Sequence, residues 1–294
     1  MAAAPGTRSG RVTTPLLGTR GSDDPLVASP RMAPKLVVVG GGKMGSALVA
    51  GLIAGGWAPV ADLAVSDPDE SQRQRLVDAH PGLVVAEGPV EAADAVLAVK
   101  PDVAEAVART LAAVGVTRVL SIVAGLSTAR LEEALGPGVV VVRSMPNTPA
   151  LIGAGVAGMS GGAAATSADL DWAEGILGSV GSVVRLPERQ LDAVTGMSGS
   201  GPAYVFLVAE ALIDAGVTAG LSRQVSHQLV VGTMLGSARM MAESGDDPGA
   251  LRAAVTSPGG TTAAAVRTLE FKAVRSAFIE AVAAATERSR QLGR

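Results

Sequence analysis

A run of aliphatic residues, LVVV at 36 to 39, stops on glycine and passes directly into GGGKMGSALVAG. Gly40, Gly42 and Gly45 fall at the G-x-G-x-x-G spacing, after a strand pattern and at the opening of a helix pattern, the context in which that spacing has a mechanism. There Gly40 permits a tight turn, Gly42 lets a pyrophosphate approach the backbone, and Gly45 lets the helix close on the strand. The helix start beyond them offers free N–H groups and a partial positive charge to phosphates. In a chain with 37 glycines the spacing alone would mean little. Its force comes from standing at the first of several alternating units.

Those units run from Lys35 to about Arg185: LVVV at 36, LAV at 63, AVLAV at 95, RVLSIV at 118 and VVVVR at 139, separated by stretches of helical length and period. Continuous apolar runs of this kind are strands buried on both faces, so an α/β fold with a mainly parallel sheet and helices on both sides is expected. After Pro187 the pattern changes to long helical stretches beginning at 203, 223 and 271. The expected organisation is a tail over residues 1–33, a dinucleotide-binding domain over 34–187 and an all-helical domain over 188–294. The helix pattern at 203 is apolar nearly all round, with Glu210 and Asp214 its only charges, so most of its surface needs cover. About 100 residues of helix can hardly supply that cover, and a second copy of the chain is expected to help.

Composition removes whole classes of function. Twenty-four Lys and Arg against 27 Asp and Glu, with no basic run, argue against nucleic acid. The absence of cysteine excludes a disulfide framework, an iron–sulfur cluster and a thiol nucleophile, and fits the cytoplasm. His80 and His227 are isolated, so no zinc site is expected and neither is a catalytic candidate. The nearest approach to a membrane span, residues 44–61, is broken by Gly51, Gly55, Gly56 and Pro59, so no membrane partner is expected. Residues 1–33 are rich in Pro, Gly, Ser, Thr and Arg without apolar period. They read as a dispensable tail, with Met32 as an alternative start; a secretory signal lacks its apolar block, and Asp23 and Asp24 weigh against a transit peptide.

Further motifs carry candidate chemistry. Asp67 lies 22 residues past Gly45, where a carboxylate can accept the two ribose hydroxyls of NAD and would repel the 2′-phosphate of NADP. That leans towards NADH, while Ser66 with Arg73 and Arg75 nearby leaves room for a phosphate, and Asp67 can also simply cap the turn with Pro68. AVKP, residues 98 to 101, ends one strand run at the edge where open sheets bind ligands. Ala98 and Val99 offer backbone, and Lys100 before Pro101 is either a charge partner or a solvated turn. SIVAG ends another run, its Ala124 and Gly125 leaving space for a flat ring. RSMPNTPA, residues 143 to 150, is held rigid by two prolines; Asn147 is placed to hydrogen-bond a carboxamide or amine, or to form an Asx turn. TGMSGSGPAY, residues 195 to 204, reads as a turn at a helix start whose N–H groups around Ser200 suit a small anion, or as a tight packing site. In SPGGTT, Ser257 and Pro258 set a turn, Gly259 and Gly260 free the backbone, and Thr261 and Thr262 open a helix able to hold a carboxylate, or merely cap it.

GGGKMG, AVKP, SIVAG, RSMPNTPA, TGMSGSGPAY and SPGGTT, in this order and at these separations, resemble the pyrroline-5-carboxylate reductase family over about residues 35 to 290. The resemblance implies an N-terminal Rossmann-type doubly wound sheet, a C-terminal all-helical dimerisation domain, and an active site shared between subunits of a homodimer, with rings of five dimers also occurring. It implies hydride transfer from NADPH or NADH to the cyclic imine of L-1-pyrroline-5-carboxylate, giving L-proline. It places Gly40, Gly42, Lys43, Met44 and Gly45 at the pyrophosphate and Ala98 to Pro101 with Ala124 and Gly125 on the nicotinamide side, beside which Ser66 and Asp67 stand as candidates for the ribose and Asn147 for the nicotinamide side on the reading of their own motifs. It places Ser257 to Thr262 at the substrate, with Thr262 near the ring nitrogen as the catalytic candidate, while Ser200 remains a substrate candidate on the reading of its own turn. Two departures stand out: some members carry an uncharged residue at Asp67, and some an acidic one near Gly245.

Imine reduction needs orientation, worth roughly 7 to 11 kcal/mol, and a hydrogen bond at nitrogen, but no metal and no covalent nucleophile. A chain without cysteine can do that. The rival readings are a β-hydroxyacid dehydrogenase-like oxidoreductase and a cofactor-sensing regulator without turnover. The first wants a basic lysine, and the helical region offers only Lys272.

Overall fold

The computed structural model describes residues 33–293. The expected tail over residues 1–33 therefore lies, but for Ala33, outside the described residues.

Among the described residues eight strands form one sheet: β1 Leu36–Val39, β2 Leu63–Ser66, β3 Val84–Ala86, β4 Asp94–Leu97, β5 Arg118–Ser121, β6 Val140–Met145, β7 Gly155–Gly161 and β8 Gly181–Arg185. Their order is β3-β2-β1-β4-β5-β6-β7-β8. The first six are parallel, β7 runs antiparallel to β6, and β8 is parallel to β7. Helices α1 Lys43–Ala54, α2 Glu70–Ala79, α3 Pro101–Ala113, α4 Thr128–Leu135 and α5 Ser167–Leu177 are interleaved with them. The five strand runs read from sequence are five of these strands. β3, β7 and β8 are additional, because VVA is very short and GVAGMSG and GSVVR carry glycine and serine where β-branched residues would have signalled a strand.

Alternation along β1 shows why the runs are apolar throughout. Leu36 and Val38 pack with Leu48, Leu52, Ala173 and Ile176 on one face, and Val37 and Val39 with Ala104, Ala108, Leu111 and Leu131 on the other. Each strand residue is thus in a core, whichever way it points. Small residues let the layers approach closely: a side chain at Gly51 of α1 would strike Val180 and Ser179. The segment 44–61, weighed above as a membrane span, is largely α1, with Leu48, Val49 and Leu52 fully buried.

From Glu188 onward the chain is helical: α6 Leu191–Val194, a π-helical turn Thr195–Gly199, α7 Gly201–Thr218, α8 Arg223–Ser244, α9 Pro248–Ala254, α10 Thr261–Phe271 and α11 Val274–Leu292. Expected as one helix from 271, the last stretch is broken at Ala273, which adopts φ 55°. The first helix pattern begins earlier than expected, for α6, the π turn and α7 form a near-continuous helical run over Glu188–Thr218. That run is long and apolar enough to cross a membrane by length and composition alone. Within one chain it has little cover: Phe206 and Leu207 of α7 are 63% and 65% exposed, and Leu235, Phe271 and Ile279 on later helices are also exposed. Such contiguous apolar surface marks a contact face.

Candidate active site

The strand order reverses between β1 and β4, and at this switch point the carboxyl ends of parallel strands open a crevice. Gly40 leaves β1 with φ +105° and its N–H bonds to the Ser66 carbonyl at 2.8 Å. A Cβ at Gly40 would overlap the carbonyl oxygen of Ala98, and one at Gly45 would overlap the carbonyl oxygen of Gly40. Both glycines are therefore required by the protein's own backbone. Gly42 differs: it caps α1 and has open space where a side chain would stand. Lys43 beside it is exposed, Met44 is half-buried, and the Ser46 hydroxyl steadies the turn by donating to the Gly41 carbonyl at 2.7 Å.

Asp67, at the end of β2, is nearly buried. One carboxylate oxygen accepts the Gly41 N–H at 2.6 Å and the other the Asp69 N–H at 2.8 Å. The residue thus forms the expected turn with Pro68 and also holds the glycine loop. Ser66 donates its hydroxyl to the Gly88 carbonyl, and Arg73 lies against the carbonyls of Asp67 and Pro68 at 2.9 and 2.8 Å. A carboxylate and a guanidinium consequently flank the same edge of the crevice.

Deeper in, Met44, Ala98, Val99, Ile122, Met145, Pro146, Asn147, Thr148 and Gly199 enclose a pocket of about 280 Å³. It gathers Ala98, Val99 and Asn147 of the expected nicotinamide-side residues and Met44, expected at the pyrophosphate, and Ile122, Met145, Pro146, Thr148 and Gly199 join them. Lys100 is exposed and precedes α3 without a side-chain cap, with Pro101 at the first helical position. Ile122 represents SIVAG in the pocket lining. Gly125, expected to leave space for a ring, has φ +79° and packs against Leu292 and Gly293, so its missing side chain is explained by the end of α11.

The far wall corrects one expectation. TGMSGSGPAY is not a loop before a helix start: the π turn carries α6 into α7, and the Ser200 N–H is donated to the Thr195 carbonyl at 2.9 Å. The N–H group that an anion was expected to meet at Ser200 is already used inside the helix, and Ser200 lines neither the 280 Å³ pocket nor its neighbour. The alternative of tight packing holds for Gly196, set against Thr286 and the Val282 carbonyl, and for Gly199, set against the Met145 thioether methyl. Asn147 ties this wall to the sheet: its Nδ2 donates to the Ser198 carbonyl at 3.2 Å and its Oδ1 accepts the Val156 N–H at 2.9 Å. A second, apolar cavity of about 460 Å³ shares Asn147 and continues over Met197, Tyr204, Phe206 and Phe278.

Arg143 stands outside both pockets, in a strand buried on each side. Its guanidinium meets Glu188 at 3.1 Å and Asp192 at 3.7 Å. Burial pushes the Glu188 carboxyl up, but hydrogen bonds from the Thr128 hydroxyl and N–H, both 2.7 Å, together with Arg143, outweigh it and hold the group below the ordinary glutamate value. The signal for this network was present in VVVVR: a cation within a buried strand needs carboxylate partners.

SPGGTT forms the expected turn and helix start. The Gly260 N–H bonds to the Ser257 carbonyl at 3.1 Å, Gly259 has φ +72°, and a side chain at Gly260 would strike the Ser257 hydroxyl. Because glycine precedes α10, no side chain caps it, and the N–H groups of Thr261, Thr262 and Ala263 lack helical acceptors. Within one chain, however, these residues do not reach the 280 Å³ pocket: Ser257, Gly259 and Thr261 are exposed, and Thr262 is half-buried elsewhere.

Comparison with known proteins matches both halves of the chain. Residues 188–292 match the family model described as pyrroline-5-carboxylate reductase dimerisation, and residues 35–125 one described as NADP oxidoreductase coenzyme F420-dependent. Pyrroline-5-carboxylate reductase of Corynebacterium melassecola is 43% identical over 270 residues, covering 88% of this chain and 98% of that protein. The chain belongs to the pyrroline-5-carboxylate reductase family. Among solved reductases, that of Coxiella burnetii superposes with a TM-score of 0.82 at 34% identity, covering 89% of this chain and 99% of its own. A Plasmodium falciparum pyrroline carboxylate reductase solved with NADP bound gives 0.79 at 32% identity, covering 90% and 99%.

A dinucleotide fits the glycine loop of this reductase-family chain on a local observation: of Gly40, Gly42 and Gly45, only Gly42 is left without a neighbour by the protein itself, and it lies at the open start of α1. Gly45→Ala should overpack the loop and cost ~1–3 kcal/mol of stability, read as a lower Tm. Gly42→Ala should leave Tm unchanged while raising the dinucleotide Kd at least about tenfold, ~1.4 kcal/mol. Titration calorimetry beside thermal unfolding separates the two; equal behaviour would remove the distinction.

The Glu188 network predicts an acid limb. Since the folded carboxyl lies below its unfolded value near 4.5, its stabilisation is complete above that pH and is lost as pH falls through the lower folded value. Glu188→Gln should flatten the fall in Tm below about pH 4.5. An unchanged acid limb would show that Glu188 does not set it.

Proposed function

We propose that the chain is a pyrroline-5-carboxylate reductase, taking hydride from NAD(P)H to the cyclic imine of L-1-pyrroline-5-carboxylate and forming L-proline, the last step of proline biosynthesis. The observation that carries this reading is family membership across nearly the whole of a curated reductase, joined to a pocket between the glycine loop and a helical wall. The chemistry the cofactor supplies when bound is a hydride for the imine carbon. The protein's contribution is placement. Gly42 and the start of α1 receive the pyrophosphate, Met44, Ala98 and Val99 line the ring side, and Asn147 fixes the opposite wall.

We place residues 34–187 as the cofactor domain and 188–294 as the helical domain. The match of 188–292 to a dimerisation model and the exposed faces of α7 and α8 support a homo-oligomer in which a second copy covers those faces. In that assembly Ser257 to Thr262 of one subunit complete the pocket of the other. There the N–H groups around Gly259 to Thr261 clamp the substrate carboxylate and the Thr262 hydroxyl hydrogen-bonds the imine nitrogen. Five such dimers in a ring and a cytoplasmic setting complete the proposal.

Oxidation of NAD(P)H on adding pyrroline-5-carboxylate tests the activity; binding without turnover would favour a sensor instead. Loss of the Thr262 hydrogen bond would cost ~0.5–1.5 kcal/mol if neutral or ~1.5–3 kcal/mol if charged, so Thr262→Ala should lower kcat/KM several-fold with Tm unchanged. Mixed oligomers of Thr262→Ala and Gly42→Ala subunits should exceed the mean activity of the two parents, because a shared site reassembles one intact copy. No gain on mixing would place both residues in a site built by one chain.

For the cofactor we propose a preference for NADH, supported by the nearly buried Asp67 carboxylate at the ribose edge. Asp67→Asn keeps an acceptor for one N–H and removes the charge. It should raise the ratio of NADPH to NADH kcat/KM by about tenfold, ~1.4 kcal/mol. A wild-type preference for NADPH would overturn the argument.

A further inference from the structure

Arg143 ends an apolar run, and its side chain is only 7% exposed, so its charge must be met inside the protein. The groups that meet it come from separate parts of the chain. Glu188 opens the helical region, and it also receives the Thr128 N–H and hydroxyl at the start of α4. Asp192 belongs to α6 and accepts the Ser289 hydroxyl of α11 at 2.7 Å. One guanidinium therefore holds β6, α4, α6 and α11 at a common point.

That point is continuous with the pocket on both sides. Two residues beyond Arg143, Met145 ends β6, and two further on stands Asn147; both line the pocket. Along the helices, Asp192 in α6 leads without a break into the π turn, whose Gly199 rests on Met145 and whose Ser198 carbonyl accepts from Asn147. The two pocket walls are thus fastened twice, by the Arg143 ion pairs at their base and by Asn147 at the rim. π turns are rare and occur mostly as single turns within α-helices, frequently at functional sites.

Resting on the reductase reading, we propose that Arg143 is a positioning residue for hydride transfer: through Glu188 and Asp192 it sets the spacing between the sheet wall and the π-turn wall of the pocket. It touches neither ligand. Its removal therefore acts on the approach of the reacting atoms and not on the affinity of the glycine loop.

Arg143→Met alone strands Glu188 and Asp192 and should lower Tm. In Arg143→Met/Glu188→Gln the amide still serves Thr128, one stranded charge is gone, and Tm should recover most of the loss. The expected result for this double variant is a cofactor Kd within twofold of wild type, kcat reduced at least tenfold, and a larger primary deuterium isotope effect on kcat with cofactor deuterated at the transferred position. Recovery of kcat together with Tm, or an unchanged isotope effect with kcat lowered only as the folded fraction falls, would make Arg143 purely structural and overturn the proposal. A parallel loss of cofactor affinity would also overturn it. Should the double variant not fold, Arg143→Lys, which keeps the charge but reaches one carboxylate, is read by the same measurements and the same criteria. Wild-type turnover measured alongside separates failures: an inactive wild type that binds cofactor refutes the reductase reading itself.

Discussion

The backbone of Gly40 and the carbonyl of Ala98 lie too close for any side chain between them, and this approach governs the cofactor half of the molecule. It is possible because β1 and β4 are parallel neighbours at the strand-order reversal, with Val39 paired to Leu97 and the Ala98 N–H bonded to the Val39 carbonyl at 2.8 Å. The left-handed turn at Gly40 then sends the chain over the strand end, and Gly45 lets α1 settle on it. Only after these two contacts are made does Gly42 face outward. The division of labour among three glycines follows from backbone packing, before any ligand is considered.

The helical half has the opposite character, since its composition creates a surface that one chain leaves open. α7 carries few charges, and α10 begins with a helix terminus that no side chain caps and that does not line the pocket. A fold of this kind is incomplete in two linked ways, apolar faces without cover and a polar turn without a site. A second copy covers the apolar faces of α7 and α8, and the proposed sharing of the site would give the turn before α10 its pocket. On the proposed sharing of the site, stability and activity depend together on association.

Much of this was legible in the residues. Runs such as LVVV and RVLSIV announced a doubly covered sheet because both faces are apolar, and the glycine spacing announced the crevice. β7 and β8 were not legible, since glycine and serine there carry no strand signal, and pairing, of β7 with β6 and of β8 with β7, stabilises them from outside. The π turn was hidden for a related reason: three glycines and two serines between Thr195 and Gly201 resemble a loop locally, while contacts with Thr286 and Met145 hold them helical. Gly125 was read as room for a ligand when the occupant is the chain's own C-terminal helix. Glycine reports that something comes close, and the sequence does not say what.

Asp67 illustrates how two tasks become inseparable on one side chain. Its carboxylate accepts the N–H of Gly41 in the loop and that of Asp69 in its own turn, so the group proposed to face the ribose also fixes the glycine loop. A neutral residue that welcomed a 2′-phosphate would release part of the loop, and Arg73, already lying on the carbonyls of Asp67 and Pro68, would need to turn away from them to meet the added charge. Cofactor choice and loop order are therefore coupled through shared hydrogen bonds. A change of cofactor in this chain would require compensation at Gly41 or Arg73, and substitution of Asp67 alone would alter binding of both dinucleotides as well as the choice between them.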